Sequence, residues 1–169
     1  MQRILIIGNA GAGKSTFAGK LSEKLELPLI HLDKLYWQDN WEHLRREDFD
    51  QALEAELAKP QWILDGNFNR TLPFRLQHCD TVFYFDLPAA VCLLGAVKRT
   101  LQNYGKTRKD MGGNCPEYFD KQKPALYRNI LTFNKEHRAD YYKLMELHPA
   151  VNWVVFRSRK EAENYLKEL

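Results

Sequence analysis

Apolar residues fall along this chain in two alternating rhythms. Five short runs are almost continuously apolar: RILIIG (3–8), LIHL (29–32), WILD (62–65), TVFYFD (81–86) and VNWVVF (151–156). Runs of this length and β-branched content predict strands buried on both faces. Between them, apolar residues recur three or four positions apart. Phe17, Ala18, Leu21 and Leu25 share one face of a helix predicted from Lys14 to Leu25. Phe49, Leu53 and Leu57 do so in a helix from Glu47 to Ala58, with an acidic first turn and Pro60 just past its end. Val91, Leu94, Val97 and Leu101 predict the apolar face of a helix that Pro88 opens. A long helical stretch runs from Pro124 to Leu147, and KEAENYLKEL closes the chain as an amphipathic helix.

Strands alternating with helices predict an α/β fold: a five-stranded parallel sheet with helices on both faces, joined by right-handed crossovers. No repeat, low-complexity segment or linker interrupts it, so residues 1–169 read as one domain. Ligands of such sheets bind beyond the carboxyl ends of the strands. Three candidate sites lie there: the glycine loop after the first strand, Asp33 after the second and Asp65 after the third. The stretch from Gly105 to Asp120, GKTRKDMGGNCPEYFD, has no apolar period. It reads as a long mobile loop, and long loops inside a compact domain usually carry function.

Composition narrows the setting. The 169 residues are 44% hydrophobic and 28% charged, within the globular range. No apolar run approaches the roughly 20 residues of a membrane span, and the apolar N-terminal run is too short for a signal sequence. The three cysteines, Cys79, Cys92 and Cys115, are odd in number and show no C-x-x-C spacing. This fits a reducing cytoplasm better than a disulfide or zinc framework. Net charge is +3 but uneven: from Lys98 to Lys143 there are 11 Lys/Arg against 5 Asp/Glu. That basic third points either to an anionic ligand or to a solvated lysine-rich helix face.

GNAGAGKST, Gly8 to Thr16, carries the strongest chemistry. Gly8, Gly13, Lys14 and Ser15 fit G-x-x-x-x-G-K-[ST], with a strand before and a helix after, as the phosphate-cradling mechanism demands. Backbone amides of Gly8, Asn9, Ala10, Gly11, Ala12, Gly13, Lys14, Ser15 and Thr16 make an anion nest at a helix N-terminus. Lys14 reaches the β- and γ-phosphates and the Ser15 hydroxyl binds Mg²⁺. Asp65, at the tip of a buried strand, suits the magnesium shell or a cap for the DGN turn. Asp86 reads as the helix cap before Pro88. Asp33, followed by Tyr36, Trp37 and Trp41, makes either an apolar-walled pocket with one carboxylate for a substrate hydroxyl or a flap packed on the core.

With these residues in view, GNAGAGKST followed by WILDGNFNRT resembles the adenylate-kinase-type branch of the P-loop kinases. There the third strand ends in D-G-x-P-R; here the proline is missing and Arg70 stands one residue later. KTRKDM resembles the lid run T-R-x-D of those kinases. The resemblance implies that Arg99 and Arg108 are lid arginines closing over the triphosphate, with Asp110 orienting Arg108. HLDKLYW, WILDGNF, FDLP, KRTLQNYGKTRKDM and NCPEYF together are similar to the bacterial DNA topology modulation proteins, across nearly the whole chain. That resemblance implies an adenylate-kinase-like fold with ATP as the nucleotide, and supplies no acceptor.

A guanine-reading N-K-x-D motif is absent: the single N-K, Asn134–Lys135, lies in a helical stretch without the aspartate. A lid, arginines and an acceptor pocket favour a kinase, because an open site would hydrolyse ATP. The expectation is therefore a phosphotransferase using Mg-ATP. Lys14, Arg99 and Arg108 stabilise the transferred group, Asp33 orients or deprotonates the acceptor, and Tyr36, Trp37, Arg70 and Arg75 bind it. The alternative is a nucleotide-gated regulator that touches DNA, although no recognised nucleic-acid module is present.

Overall fold

The computed structural model describes residues 1–169. β1 (Arg3–Gly8) passes through the glycine loop into α1 (Lys14–Leu25). β2 (Leu29–His31) runs directly into a short helix, α2 (Leu32–Tyr36), and a 3-10 turn precedes α3 (Arg46–Leu57). β3 (Trp62–Asp65) is followed by a second 3-10 turn and α4 (Leu72–Leu76). β4 (Thr81–Phe85), α5 (Ala89–Gln102), α6 (Lys123–Leu147), β5 (Asn152–Phe156) and α7 (Arg159–Glu168) complete the chain. All five strands are parallel in the order β2-β3-β1-β4-β5. This order puts β1 and its glycine loop at the centre, with Asp65 level with Ile6 on the neighbouring strand.

The continuous apolar runs are two cores read alternately, because successive side chains leave opposite faces of a strand. Ile4, Ile6, Phe83 and Phe85 pack with Phe17 and Leu21 on one face. Leu5, Ile7, Val82 and Tyr84 pack with Phe49, Leu53 and Tyr141 on the other.

Three local expectations change. The second strand ends one residue early: Leu32, read as its last residue, opens the helix Leu32–Tyr36 instead. Pro88 is the N-cap residue of α5 rather than part of its first turn, and Asp86 does not cap that helix. Asp86 instead accepts from Arg138 Nε at 3.0 Å and from the Tyr142 hydroxyl at 2.9 Å. The buried face of α5 is also not the one its large apolar residues mark. Cys92, Ala96 and Thr100 are buried, whereas Leu94 is 72% and Leu101 62% exposed. The reason is a close approach. A Cβ on Gly95 would lie 2.2 Å from the Gly11 carbonyl oxygen, and one on Gly11 would lie 2.2 Å from that of Cys92. The glycine loop rests on the helix backbone, so only small residues fit beneath it.

Candidate active site

The parallel sheet delivers β1, β2 and β3 to one edge, where a cavity of about 770 Å³ opens. Gly11 to Thr16 line it, with the N-terminus of α1 pointing in, while Gly8, Asn9 and Ala10 lie outside its wall. Asn9 is turned away: its Nδ2 donates to the Ile130 carbonyl on α6 at 2.8 Å. The Lys14 amine donates to the Asn9 carbonyl at 3.0 Å, spanning the nest. Burial pushes its pKa down; Asp65 and Asp33 pull it back up. A buried ammonium short of neutralising charge favours an arriving anion.

Three acidic groups surround the Lys14–Ser15 step. Asp65, buried at the tip of β3, is held by His31 Nδ1 at 3.0 Å. Asp110 comes from the long loop and pairs with Arg108 at 2.8 Å. Burial alone would raise Asp110, but Arg108 and a hydrogen bond from Ser15 outweigh it and hold the carboxyl below its ordinary range. Asp33, in the first turn of α2, moves the other way. Burial pushes it up, against the pull of Arg108. No three His, Cys, Asp or Glu side chains converge on one metal-sized point.

The long loop lies folded over this edge. Residues 103–122 contain only isolated bridges, Tyr104 with Glu117 and Thr107 with Pro116. They are seamed to the segment after β2: Asn40 N–H donates to the Asn114 carbonyl at 3.0 Å, Asn114 N–H to Asp39 Oδ1 at 2.6 Å, and Trp41 Nε1 to the Pro116 carbonyl at 3.2 Å. Arg108 on this loop and Arg99 on α5 both line the cavity, so Arg99, expected as a lid arginine, belongs to the helix beneath the glycine loop instead.

Five alternating parallel strands with a glycine loop at the centre and a loop folded over the carboxyl edge decide the architecture. The fold is that of a P-loop kinase. The shikimate kinase of Aquifex aeolicus VF5 is similar in structure, with a TM-score of 0.57 over 98% of this chain and 92% of that one, at 20% identity. No family model matches the chain, and no curated protein is detectably similar in sequence. The likeness therefore speaks for the fold alone.

All five predicted acceptor residues, Asp33 among them, stand outside the cavity wall, as does the predicted metal ligand Asp65. Tyr36 and Trp37 pack on each other, with Tyr36 stacked on His43 at 5.0 to 5.4 Å from its aromatic neighbours. The Arg70 guanidinium is paired with Asp50 at 2.5 Å on the surface. Arg75 is fully buried, and burial pushes it down to about 10. It donates to the Gly66 carbonyl at 2.9 Å, to the Asn67 and Phe68 carbonyls, and to Thr71 Oγ1 at 3.1 Å. It staples the loop after β3, which takes four of its five N–H groups, and its side chain is wholly buried.

Two site residues were missed in the sequence. Arg159, at the start of α7, donates to the Gly11 carbonyl at 2.8 Å and the Ala12 carbonyl at 3.2 Å. Its signal was its place just beyond the carboxyl end of the last strand. Glu117 is 1% exposed and lies 3.0 Å from Arg108 Nε and 4.0 Å from Arg99 Nε; Lys123 also pairs with it. It lies in the NCPEYF run of the long loop, where nothing set it apart from its neighbours.

Proposed function

We propose that the protein is a phosphotransferase that moves the γ-phosphate of ATP to a small-molecule hydroxyl or phosphate acceptor. The observation that carries this is one cavity lined by a phosphate nest, Lys14, Arg99 and Arg108 together. Phosphoryl transfer asks for little beyond positioning and charge neutralisation. Lys14 and the amides of Gly11 to Thr16 hold the phosphates. Arg99 and Arg108 neutralise the charge on the transferred group. Asp33 holds or deprotonates the acceptor hydroxyl, and its raised pKa suits a proton acceptor. The folded lid excludes water.

The donors at the Lys14–Ser15 step are a hydroxyl and carboxylates, hard oxygen ligands of the kind Mg²⁺ takes. Ser15 and Asp65 would hold the ion, which supplies charge neutralisation at the phosphates. Because no three protein ligands converge, most of its shell would be phosphate and water, which suits Mg²⁺. The resemblance of HLDKLYW, WILDGNF and KRTLQNYGKTRKDM to the DNA topology modulation proteins gives this proposal its family, in a cytoplasmic setting, and leaves the acceptor open. A DNA-binding role keeps only part of the basic third, because four of its eleven cations are paired with protein carboxylates. Arg99, Arg108 and Lys123 turn inward onto Glu117, and Arg138 pairs with Asp86 at 2.8 Å.

ADP release from Mg-ATP, screened against a panel of metabolite acceptors, tests the reading. We expect at least one acceptor to stimulate release. Lys14→Ala should lower that turnover roughly 10²- to 10³-fold, the usual cost of one transition-state donor. Unchanged ATP affinity and turnover in Lys14→Ala would overturn the assignment.

A further inference from the structure

Glu117 is the least explained charge in the molecule. A carboxylate at 1% exposure needs one partner to offset its burial, and Lys123, itself 7% exposed, already provides one. Thr100 adds a hydroxyl at 3.3 Å. Yet two more cations converge on it: Arg108 Nε at 3.0 Å and Arg99 Nε at 4.0 Å. Both line the cavity.

The manner of contact matters as much as the distance. Both Nε groups are buried and make no well-aligned hydrogen bond. Glu117 therefore attracts the two arginines by charge without locking either in a hydrogen-bonded fork. Arg108 spends its two terminal nitrogens on Asp110 at 2.8 Å and Met111 Sδ at 2.8 Å. The terminal nitrogens of Arg99 make no hydrogen bond at all, although the side chain is only 27% exposed. Counting formal charges, Lys123, Arg99 and Arg108 bring three positives against the two negatives of Glu117 and Asp110. Asp33 acts on both arginines as well, so the cluster balances at three charges of each sign when Asp33 is ionised.

The energy balance in Glu117 agrees. Burial alone would raise its pKa, but the Lys123 hydrogen bond and the two arginines outweigh that and hold it down. Arg99 is pushed down, first by burial and then by the like charge of Arg108, with Glu117 opposing. Without Glu117, two guanidinium groups would repel one another beside the phosphate site.

We infer that Glu117 is a positioning residue: from behind the cavity wall it holds Arg99 and Arg108 together against their own repulsion, aimed at the phosphoryl group that Lys14 holds. It touches no ligand itself. Its role rests on the phosphotransferase reading and adds to it a residue that neither the glycine-loop pattern nor the lid run contains.

The discriminating experiment is a double-mutant cycle on Mg-ATP turnover, with ATP affinity measured by calorimetry on the same proteins and thermal stability in parallel. Arg108→Ala should lower turnover by roughly 10²-fold or more in the otherwise unaltered chain. In the Glu117→Gln background, where Arg108 is no longer aimed, the same change should cost less than about threefold, because residues acting through one another are non-additive. Glu117→Asp, which keeps the charge, should recover part of the Glu117→Gln loss. Should Glu117→Gln strand Lys123 and fail to fold, the Glu117→Gln/Lys123→Met protein restores neutrality and the cycle is run there. Additive effects of Arg108→Ala and Glu117→Gln in turnover and ATP affinity, with only stability changed, would overturn the positioning role and leave the kinase reading standing. Wild-type protein that neither binds nor turns over Mg-ATP would instead remove both.

Discussion

The glycine loop and the lid line one cavity, and they are held there by different forces. The glycine loop is fixed by backbone. Its amides face inward from the start of α1, its carbonyls rest on α5 where Gly95 leaves room, and Arg159 binds two of those carbonyls from outside. None of these contacts depends on a carboxylate. The lid has almost no regular structure and is fixed by side-chain charge and a hydrogen-bonded seam: Glu117 with its three cations, Asp110 on Arg108, and Asn114 and Pro116 against residues 39–41. A nest built from backbone holds its shape with or without a ligand. A lid built from ion pairs can exchange them for phosphate charge, which is what a part that opens and closes requires.

The same difference explains what could be read from the sequence. The glycine loop is a contiguous pattern, and strand, loop and helix are neighbours in the chain, so Gly11 to Ser15 were legible in place. The sheet was equally legible, because buried parallel strands write themselves as unbroken apolar runs. Glu117 was not. Its partners come from α5, the loop and α6, and its importance lies in being buried, which only the fold decides. The α5 face misled for a related reason. Backbone contact with the glycine loop selected Cys92, Gly95 and Ala96, and the eye for large apolar residues chose the exposed side. Arg70 and Arg75 were read from their position after β3. Which way each side chain turned depended on Asp50, twenty residues earlier, and on the carbonyls of 66–68.

The sharpest break in the comparison is at Asp33, which lies between the two regions and feels Arg108 from the lid and Lys14 from the loop. Positioned proton acceptors are worth roughly 10²- to 10⁴-fold in rate. Asp33→Asn should cut acceptor-dependent ADP release by about that factor and leave ATP affinity within a few-fold. Stability should move the opposite way. The folded-state pKa of Asp33 is raised by burial, so its ionised form disfavours folding. That penalty is absent below the ordinary value of 3.8 and grows as pH rises through the raised one. At pH 7 the asparagine protein should therefore melt higher than wild type, with the gain shrinking toward acid pH. Full activity with unchanged melting would leave Asp33 no more than an acidic first-turn residue of α2, favoured by the helix dipole.

A smaller effect separates the seam from the ion pairs. A Cβ on Gly112 would meet the Trp37 carbonyl oxygen at 2.2 Å and that of Lys34 at 2.6 Å, both rigid backbone atoms. Gly112→Ala should lift the lid from α2 while leaving Glu117 its partners. Amide exchange in residues 105–120 should quicken, and acceptor-independent ATP hydrolysis should rise by roughly tenfold or less as water enters. The glycine loop should exchange as before. Equal acceleration in both regions would mean that lid and loop open as one unit, and the contrast drawn between them would fail.

The smallest effect is expected at Arg70, and its smallness is the point. Arg70 and Arg75 stand five residues apart after the same strand, yet their surroundings differ completely. Arg75 has no exposure and satisfies three consecutive carbonyl regions of one loop. Its loss would strand half-buried acceptors, at up to about 1–3 kcal/mol each. The Arg70 side chain is 41% exposed, and its partner Asp50 43%. An exposed ion pair contributes about 0.2–1 kcal/mol, screened further by salt. Arg70→Ala should therefore shift the denaturation midpoint only slightly, and less at high salt than at low. Because its guanidinium is paired outside the cavity, acceptor-dependent turnover should stay within twofold of wild type. A larger loss would show that Arg70 leaves Asp50 when the acceptor binds, and that the loop after β3 belongs with the lid among the parts that rearrange rather than with the backbone nest.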